Sequence, residues 1–140
     1  MIRDLKETDI DDVVSIWLES SIEAHNFIDE TFWKSQAENM RRIYIPNSES
    51  YVYEYNSRIV GFYSLNGNNL AAIFLLPKFQ GRGVGKALLK HAKSKRSQLS
   101  LTVYSENIAS YKFYLSQGFS VERQQEDPHT GHAEYLMSTA

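Results

Sequence analysis

Residues 80–86 have the composition of a loop that binds a phosphorylated ligand. Glycines alternate at positions 81, 83 and 85, after an apolar run that stops at Pro77, and an amphipathic pattern begins at Val84. Alternating glycines let the backbone approach a ligand closely, and the first N–H groups of a helix have no partner within that helix. The stretch is therefore predicted to be an anion-binding turn between a strand and a helix.

Two common phosphate-binding motifs do not fit this turn. A Walker A motif requires Ser or Thr after its lysine, whereas Ala87 follows Lys86, and Gln80 stands where the first glycine belongs. The dinucleotide fingerprint requires glycine at the position of Lys86 and an acid about twenty residues later, and both are missing. A nucleotide kinase and a Rossmann dehydrogenase are therefore disfavoured, and a glycine-rich turn without a ligand remains the alternative.

A second group of chemically capable residues follows the next predicted strand, at residues 99–103. Residues 107–119 read Asn-Ile-Ala-Ser-Tyr-Lys-Phe-Tyr-Leu-Ser-Gln-Gly-Phe. Asn107 is a typical N-cap of a helix, and Tyr114 carries a phenol that can donate a proton. Packing in the core beside Phe113 and Phe119 is the alternative role of Tyr114.

Together the two segments resemble the signatures of the GCN5-related N-acetyltransferases, the GNAT family. Gln80-x-x-Gly83-x-Gly85 matches the family's Gln/Arg-x-x-Gly-x-Gly/Ala loop, and residues 107–119 match Asn-x-x-Ala/Ser-x-x-Phe/Tyr-Tyr-x-x-x-Gly-Phe. Residues 17–33, with Trp17, the segment His25-x-Phe27-Ile28 and Trp33, further resemble a bacterial YjaB/YiaC-like subgroup.

The resemblance implies one α/β domain over residues 1–140 with the GNAT fold. Its mixed central sheet would have about six or seven strands with a splayed parallel pair, flanked by about four helices. The implied reaction moves the acetyl group of acetyl-CoA to a primary amine by direct attack on the thioester, without a metal. The acceptor would be a protein lysine or an N-terminus. A small amine or polyamine, or a catalytically silent acyl-CoA-binding regulatory module, are the alternatives.

Individual roles follow from the same resemblance. Tyr114 matches the general acid, Asn107 matches the residue whose amide bonds the pantetheine arm, and Arg82 and Lys86 add charge at the pyrophosphate. The residues implied to contact acetyl-CoA are Ile73, Phe74, Leu75, Gln80, Gly81, Arg82, Gly83, Val84, Gly85, Lys86, Asn107 and Tyr114.

The general base is where the sequence departs from the family pattern. Many members carry a glutamate on the strand before the loop, but residues 70–75 contain none. Glu106, His25 and solvent are the candidates, and the ordinary pKa of histidine suits proton transfer near neutral pH. Glu106 could instead serve a helix N-terminus, and His25 could be an ordinary loop residue.

Charge is distributed unevenly along the chain although the net charge is only −2. Residues 1–54 contain twelve acidic against five basic residues, whereas residues 55–105 contain no acid and eight bases. The basic segment suits a compact polyanion such as coenzyme A, and the acidic segment suits a cationic acceptor. Nucleic acid is not expected as a partner, because the sequence pI is near 6.1 and no aromatics interleave with the bases after Phe79.

Periodicity predicts the elements that position these residues. Helices are expected at about residues 8–21, at about 29–45 with Trp33, Ala37, Met40 and Tyr44 on one face, and at 84–95. Residues 51–55 and 58–65 form a predicted hairpin, residues 70–76 a strand covered on both faces, and residues 119–123 and 133–138 a final strand pair.

Composition excludes several classes of protein. There is no cysteine, and no apolar run reaches membrane-spanning length. His129 and His132 flank a predicted turn at Gly131 rather than a rigid metal platform, so no metal is expected. A cytoplasmic protein that does not contact membranes, either a monomer or a homodimer, is the expectation.

Overall fold

The computed structural model describes residues 1–139. Its strands are β1 (Ile2–Asp4), β2 (Glu49–Tyr55), β3 (Arg58–Asn66), β4 (Asn69–Leu75), β5 (Ser100–Tyr104), β6 (Phe119–Glu126) and β7 (Ala133–Thr139). Its α-helices are α1 (Ile10–Ala24), α2 (Glu30–Asn39), α3 (Val84–Lys95) and α4 (Ile108–Ser116). Short 3-10 turns occupy Glu7–Asp9 and Pro77–Phe79, and a π-helical turn occupies Met40–Tyr44.

The strands form one seven-stranded sheet in the order β1-β2-β3-β4-β5-β7-β6. Neighbouring strands are antiparallel except β4 and β5, which run parallel and share a single register pair, Asn69 with Ser100. Beyond that pair the two strands diverge, so the middle of the sheet opens into a cleft. The predicted mixed sheet with a splayed parallel pair is confirmed.

The core lies on both faces of β3, whose residues 59–65 are all buried. Helices α1 and α3 both pack against β3 and β4. Helix α3 turns Val84, Leu88, Leu89 and Ala92 inward and leaves its lysines exposed, as its amphipathic pattern predicted. This packing fixes the glycine-rich turn, which directly precedes α3, at the edge of the cleft.

The prediction that β4 is covered on both faces is wrong. Leu70 is buried, but residues 71–75 are exposed or only partly buried. The apolar run predicted a strand enclosed by neighbours, whereas β5 diverges after the first pair and leaves the β4 edge open. The apolar side chains of this strand therefore line the cleft.

The second helix also ends differently from the prediction. The α-helical spacing stops at Asn39, and the following turn is π-helical, with the Ile45 N–H donating to the Met40 carbonyl at 3.0 Å. The wider turn rotates Tyr44 away from the face that Trp33 and Met40 bury, so Tyr44 is 51% exposed.

Candidate active site

The divergence of β4 and β5 opens a cavity of about 290 Å³. Residues 70–75 of β4 and 101–104 of β5 form two of its walls, and the C-terminal end of α1 and one face of α4 complete it. The site residues predicted from the sequence that line this cavity are Ile73, Phe74, Leu75, Gln80, Asn107, Tyr114 and His25. Residues far apart in the sequence therefore meet around one space.

The glycine-rich turn adopts the conformation that its composition predicted. Gly81 and Gly83 have φ angles of +75° and +84°, a region that side-chain-bearing residues rarely adopt. Gly83 caps α3, and the first backbone bond of the helix runs from the Ala87 N–H to the Gly83 carbonyl at 3.0 Å. The N–H groups of Val84, Gly85 and Lys86 consequently have no intrahelical partner, and unpaired N–H groups at a helix start favour an anion.

A basic hollow adjoins this turn. It has a volume of about 430 Å³ and is lined by Gly83, Lys86, Ala87, Lys90, Lys93 and Gln117. Arg82 lies nearby on the exposed side of the turn, with its guanidinium 5.2 Å from the centre of the Phe79 ring. The positive charge predicted from the sequence is therefore concentrated beside the helix N-terminus.

Tyr114 projects from α4 into the wall of the cleft. It is only 9% exposed, and its ring packs on Phe113 and Phe119 with centroids 5.6 and 5.8 Å apart. The hydroxyl makes no hydrogen bond to any residue of 1–139. Burial raises the pKa of Tyr114, so the phenol stays protonated at neutral pH. Tyr114 therefore packs in the core, as its alternative role predicted, and still lines the cleft.

Asn107 joins α4 to the end of α1. Its side-chain oxygen accepts from the Ser110 N–H at 3.3 Å, which confirms the predicted N-cap, and its amide nitrogen lies 3.1 Å from His25 Nε2. An amide nitrogen can only donate, so His25 accepts at Nε2 and carries its proton on Nδ1. Burial lowers the pKa of His25 to about 4, and the ring is therefore neutral near pH 7.

Two further features of the cleft were missed by sequence reasoning. Ser20 of α1 is buried, and its hydroxyl donates to the Leu75 carbonyl at 2.8 Å, so α1 is tied to the end of β4. Asp127 and Glu134 line the cavity as well. The alternation of β7 places Glu134 on the same face as Leu136, but nothing in the sequence identifies that face as the one that meets the cleft.

Glu106 lies elsewhere. Its side chain is 55% exposed, does not line the cavity, and approaches His132 with 3.4 Å between Oε1 and Nδ1.

Within residues 1–139, no group of three or more potential metal ligands lies together. No helix in the same range is long and apolar enough to cross a membrane.

The open edge of β4, the glycine turn and the tyrosine in the cleft together define an acetyltransferase of the GNAT class. The family model for the acetyltransferase (GNAT) domain matches residues 5–137, and the chain belongs to this family. The family and fold predicted from the sequence are thereby confirmed. The protein is an acetyl-CoA-dependent N-acetyltransferase with acetyl-CoA as co-substrate.

Named relatives extend this comparison. The peptidyl-lysine N-acetyltransferase YiaC of Escherichia coli is 34% identical over 122 residues, which cover 86% of this chain and 84% of YiaC. The solution structure of apo-form YjaB from Escherichia coli superposes with a TM-score of 0.87 at 25% identity, covering 100% of this chain and 97% of YjaB. The PaiA N-acetyltransferase of Thermoplasma acidophilum, solved in complex with coenzyme A, shares the fold with a TM-score of 0.84 at 21% identity, covering 99% and 97%.

Proposed function

We propose that this enzyme transfers acetyl to the side-chain amine of a lysine in a protein, by direct attack of the amine on the thioester. The observation that carries the proposal is the cleft itself, where the open β4 edge, the Tyr114 phenol and the carboxylates of Asp127 and Glu134 border one cavity. The name of the relative YiaC, a peptidyl-lysine N-acetyltransferase, supports lysine as the acceptor.

Acetyl-CoA would lie along the open edge of β4. The backbone groups of residues 73–75 that bond neither β3 nor Ser20 can bond the pantetheine arm as a neighbouring strand would, and an N–H near Leu75 can polarise the thioester carbonyl. The free N–H groups at the start of α3 suit the pyrophosphate, with Arg82 and Lys86 adding charge. The second N–H of the Asn107 amide, which neither His25 nor the cap uses, is available to the pantetheine.

In the proposed reaction the neutral amine attacks the carbonyl carbon of the thioester and forms a tetrahedral intermediate. The C–S bond then breaks, and the departing thiolate takes a proton from Tyr114. The Tyr114 hydroxyl suits this role because it has no bond to the protein and remains protonated at neutral pH.

The acceptor class is tested by offering acetyl-CoA with a mixed pool of amines. The pool contains peptides with a free N-terminus and no lysine, peptides with a blocked N-terminus and one lysine, and small amines including polyamines. We expect mass spectrometry to find the acetyl group on the lysine peptides. Label confined to small amines would contradict the proposal, and coenzyme A binding without any transfer would indicate a silent binding module.

Replacing Tyr114 by Phe tests the proton donor. We expect Tyr114→Phe to lower kcat by about a hundred- to ten-thousand-fold with little change in acetyl-CoA affinity, since only the proton is lost. Tyr111→Phe is the matched control, because Tyr111 is on the same helix, packs on Tyr135 with ring centroids 4.8 Å apart and does not line the cavity. An unchanged kcat in Tyr114→Phe would exclude this role.

A further inference from the structure

The cleft carries negative charge without a compensating cation. Asp127 and Glu134 line it, whereas none of its lining residues is a lysine or arginine. The other titratable groups in the wall are His25, Tyr104 and Tyr114. Their pKa values are shifted by burial toward the neutral forms, so they add no positive charge near pH 7. The cavity wall therefore attracts a cation.

Glu134 is the more enclosed of the two carboxylates. It is 9% exposed and lies on β7 directly opposite Tyr104 of β5. One oxygen, Oε2, accepts a hydrogen bond of 2.6 Å from the Gln125 side chain, while Oε1 has no partner among residues 1–139. No basic group of that range lies within ion-pair distance. A buried carboxylate without a cation is costly, and a bound ammonium would offset that cost.

Both carboxylate oxygens of Asp127, in contrast, accept hydrogen bonds within the protein. One of its carboxylate oxygens accepts from the Tyr104 hydroxyl, and the other accepts from the His129 N–H at 2.8 Å. Both oxygens are thus used to hold the hairpin between β6 and β7 against Tyr104. Glu134 is left as the carboxylate of the cleft with a free oxygen.

Aromatic rings line the same cavity as Glu134. The His25 ring lies 5.2 Å from Trp33 and 5.1 Å from Tyr104, and all three residues line the cavity. Flat apolar surfaces of this kind pack well against a chain of methylene groups, and aromatic faces attract ammonium groups. The combination of aromatic walls and a buried carboxylate matches the chemistry of a lysine side chain, which has a long apolar stem and a charged end.

We propose that Glu134 binds the acceptor ammonium of a lysine side chain and takes one of its protons, which leaves the neutral amine that attacks the thioester. This rests on the proposed transfer to an amine. The lone pair of the resulting neutral amine forms the bond to the carbonyl carbon, the C–S bond breaks, and Tyr114 gives its proton to the departing thiolate. The tyrosinate then takes the second proton that the nitrogen loses on becoming an amide, and Glu134 releases its proton to solvent, so the products are the amide, coenzyme A and one proton.

The first test measures binding rather than turnover. Wild type saturated with coenzyme A is titrated calorimetrically with a blocked peptide containing one lysine and with the same peptide containing norleucine, which keeps the stem and lacks the charge. We expect wild type to prefer the lysine peptide, and Glu134→Gln to lose that preference while acetyl-CoA affinity stays unchanged and the melting temperature does not fall. A preference retained in Glu134→Gln would overturn the inference.

The second test measures kcat/KM for the lysine peptide. We expect Glu134→Gln to lower it by about a hundredfold or more near neutral pH, and to regain rate as rising pH supplies neutral amine without a base. Glu126→Gln is the matched control, since Glu126 is exposed, lies on the neighbouring strand and does not line the cavity.

Two outcomes separate this inference from the proposed function. Wild-type protein that acetylates no amine would overturn both, whereas active wild type with an equally active Glu134→Gln would overturn only the role of Glu134. If Glu134→Gln does not fold, Glu134→Asp replaces it, because it keeps the charge on a shorter side chain. Glu134→Asp is expected to retain the preference for lysine over norleucine and to lose rate, and loss of that preference would contradict the role.

Discussion

At the scale of single residues, the buried His25 makes the free energy of unfolding depend on pH. Its ring is 7% exposed, and burial lowers its pKa from 6.5 to about 4 against a smaller opposing effect of the Ser21 backbone. Between those pH values the unfolded chain binds a proton at His25 that the folded chain does not. Stability contributed by the neutral ring is therefore complete above pH 6.5 and is lost as the pH falls toward 4.

This linkage gives a measurable pH dependence. A fall in pKa from 6.5 to about 4 corresponds to about 3 kcal/mol once the pH lies below both values, and to about 2 kcal/mol at pH 5. We expect urea unfolding to show that His25→Gln loses less stability than wild type between pH 7 and pH 5, by about that amount. Carboxylates titrate in both proteins and cancel in the comparison. Equal losses in the two proteins would contradict the burial of a neutral histidine.

At the scale of elements, the turn before α3 depends on backbone conformation as much as on charge. Gly83 has a positive φ and open space around it, so a methyl group there would meet no atom within 4 Å and would only strain the backbone. We expect Gly83→Ala to cost about 1–3 kcal/mol of stability and to weaken acetyl-CoA binding, because the N-terminal N–H groups of α3 shift with the turn.

Gly67 provides the control for that experiment. It has a φ of +60° in the turn between β3 and β4, also with nothing within 4 Å, and lies outside the anion-binding turn. Gly67→Ala is expected to cost similar stability and to leave acetyl-CoA affinity unchanged. Equal affinity losses in both variants would indicate a global effect instead of a local one.

The same elements show what could be predicted from the sequence. The bounds of α3 and the glycine turn were predictable because local signals suffice: alternating glycines, a cap and an amphipathic period. The π-helical turn after α2 could not be predicted, because no residue type or spacing in the sequence distinguishes it from the α-helix before it. The exposure of β4 was also not predicted, since a strand packed in the core and a strand that lines a binding cleft can have the same apolar sequence.

At the scale of the whole molecule, the charge is segregated. The basic hollow beside α3 is lined by three lysines and no acid, whereas the cleft is lined by two carboxylates and no lysine or arginine. The lysines of the hollow belong to the segment that the sequence identified as basic, but no acid of residues 1–54 lines the cleft, whose carboxylates come from the loop after β6 and from β7. Glu134 was not predicted, because it belongs to the cleft only through the pairing of β7 with β5, which no local pattern encodes.

This arrangement predicts a salt dependence of cofactor binding. The lysines of the hollow are exposed and therefore screened by ions. We expect the affinity for acetyl-CoA to fall by about 1 kcal/mol or more, about fivefold, between low and high salt, if two or three exposed ion pairs form. Isothermal titration at both salt concentrations measures it, and an affinity independent of salt would contradict binding through this hollow.

The single register pair between β4 and β5 has a mechanical consequence. The sheet consists of two half-sheets, β1 to β4 and β5 to β7, and within residues 1–139 the backbone ladder joins them at one register pair, Asn69 with Ser100. A ligand that forms hydrogen bonds to both β4 and β5 would cross-link the two half-sheets. Its binding free energy then also resists the separation of the halves, so the substrate supplies part of the rigidity that its own reaction requires.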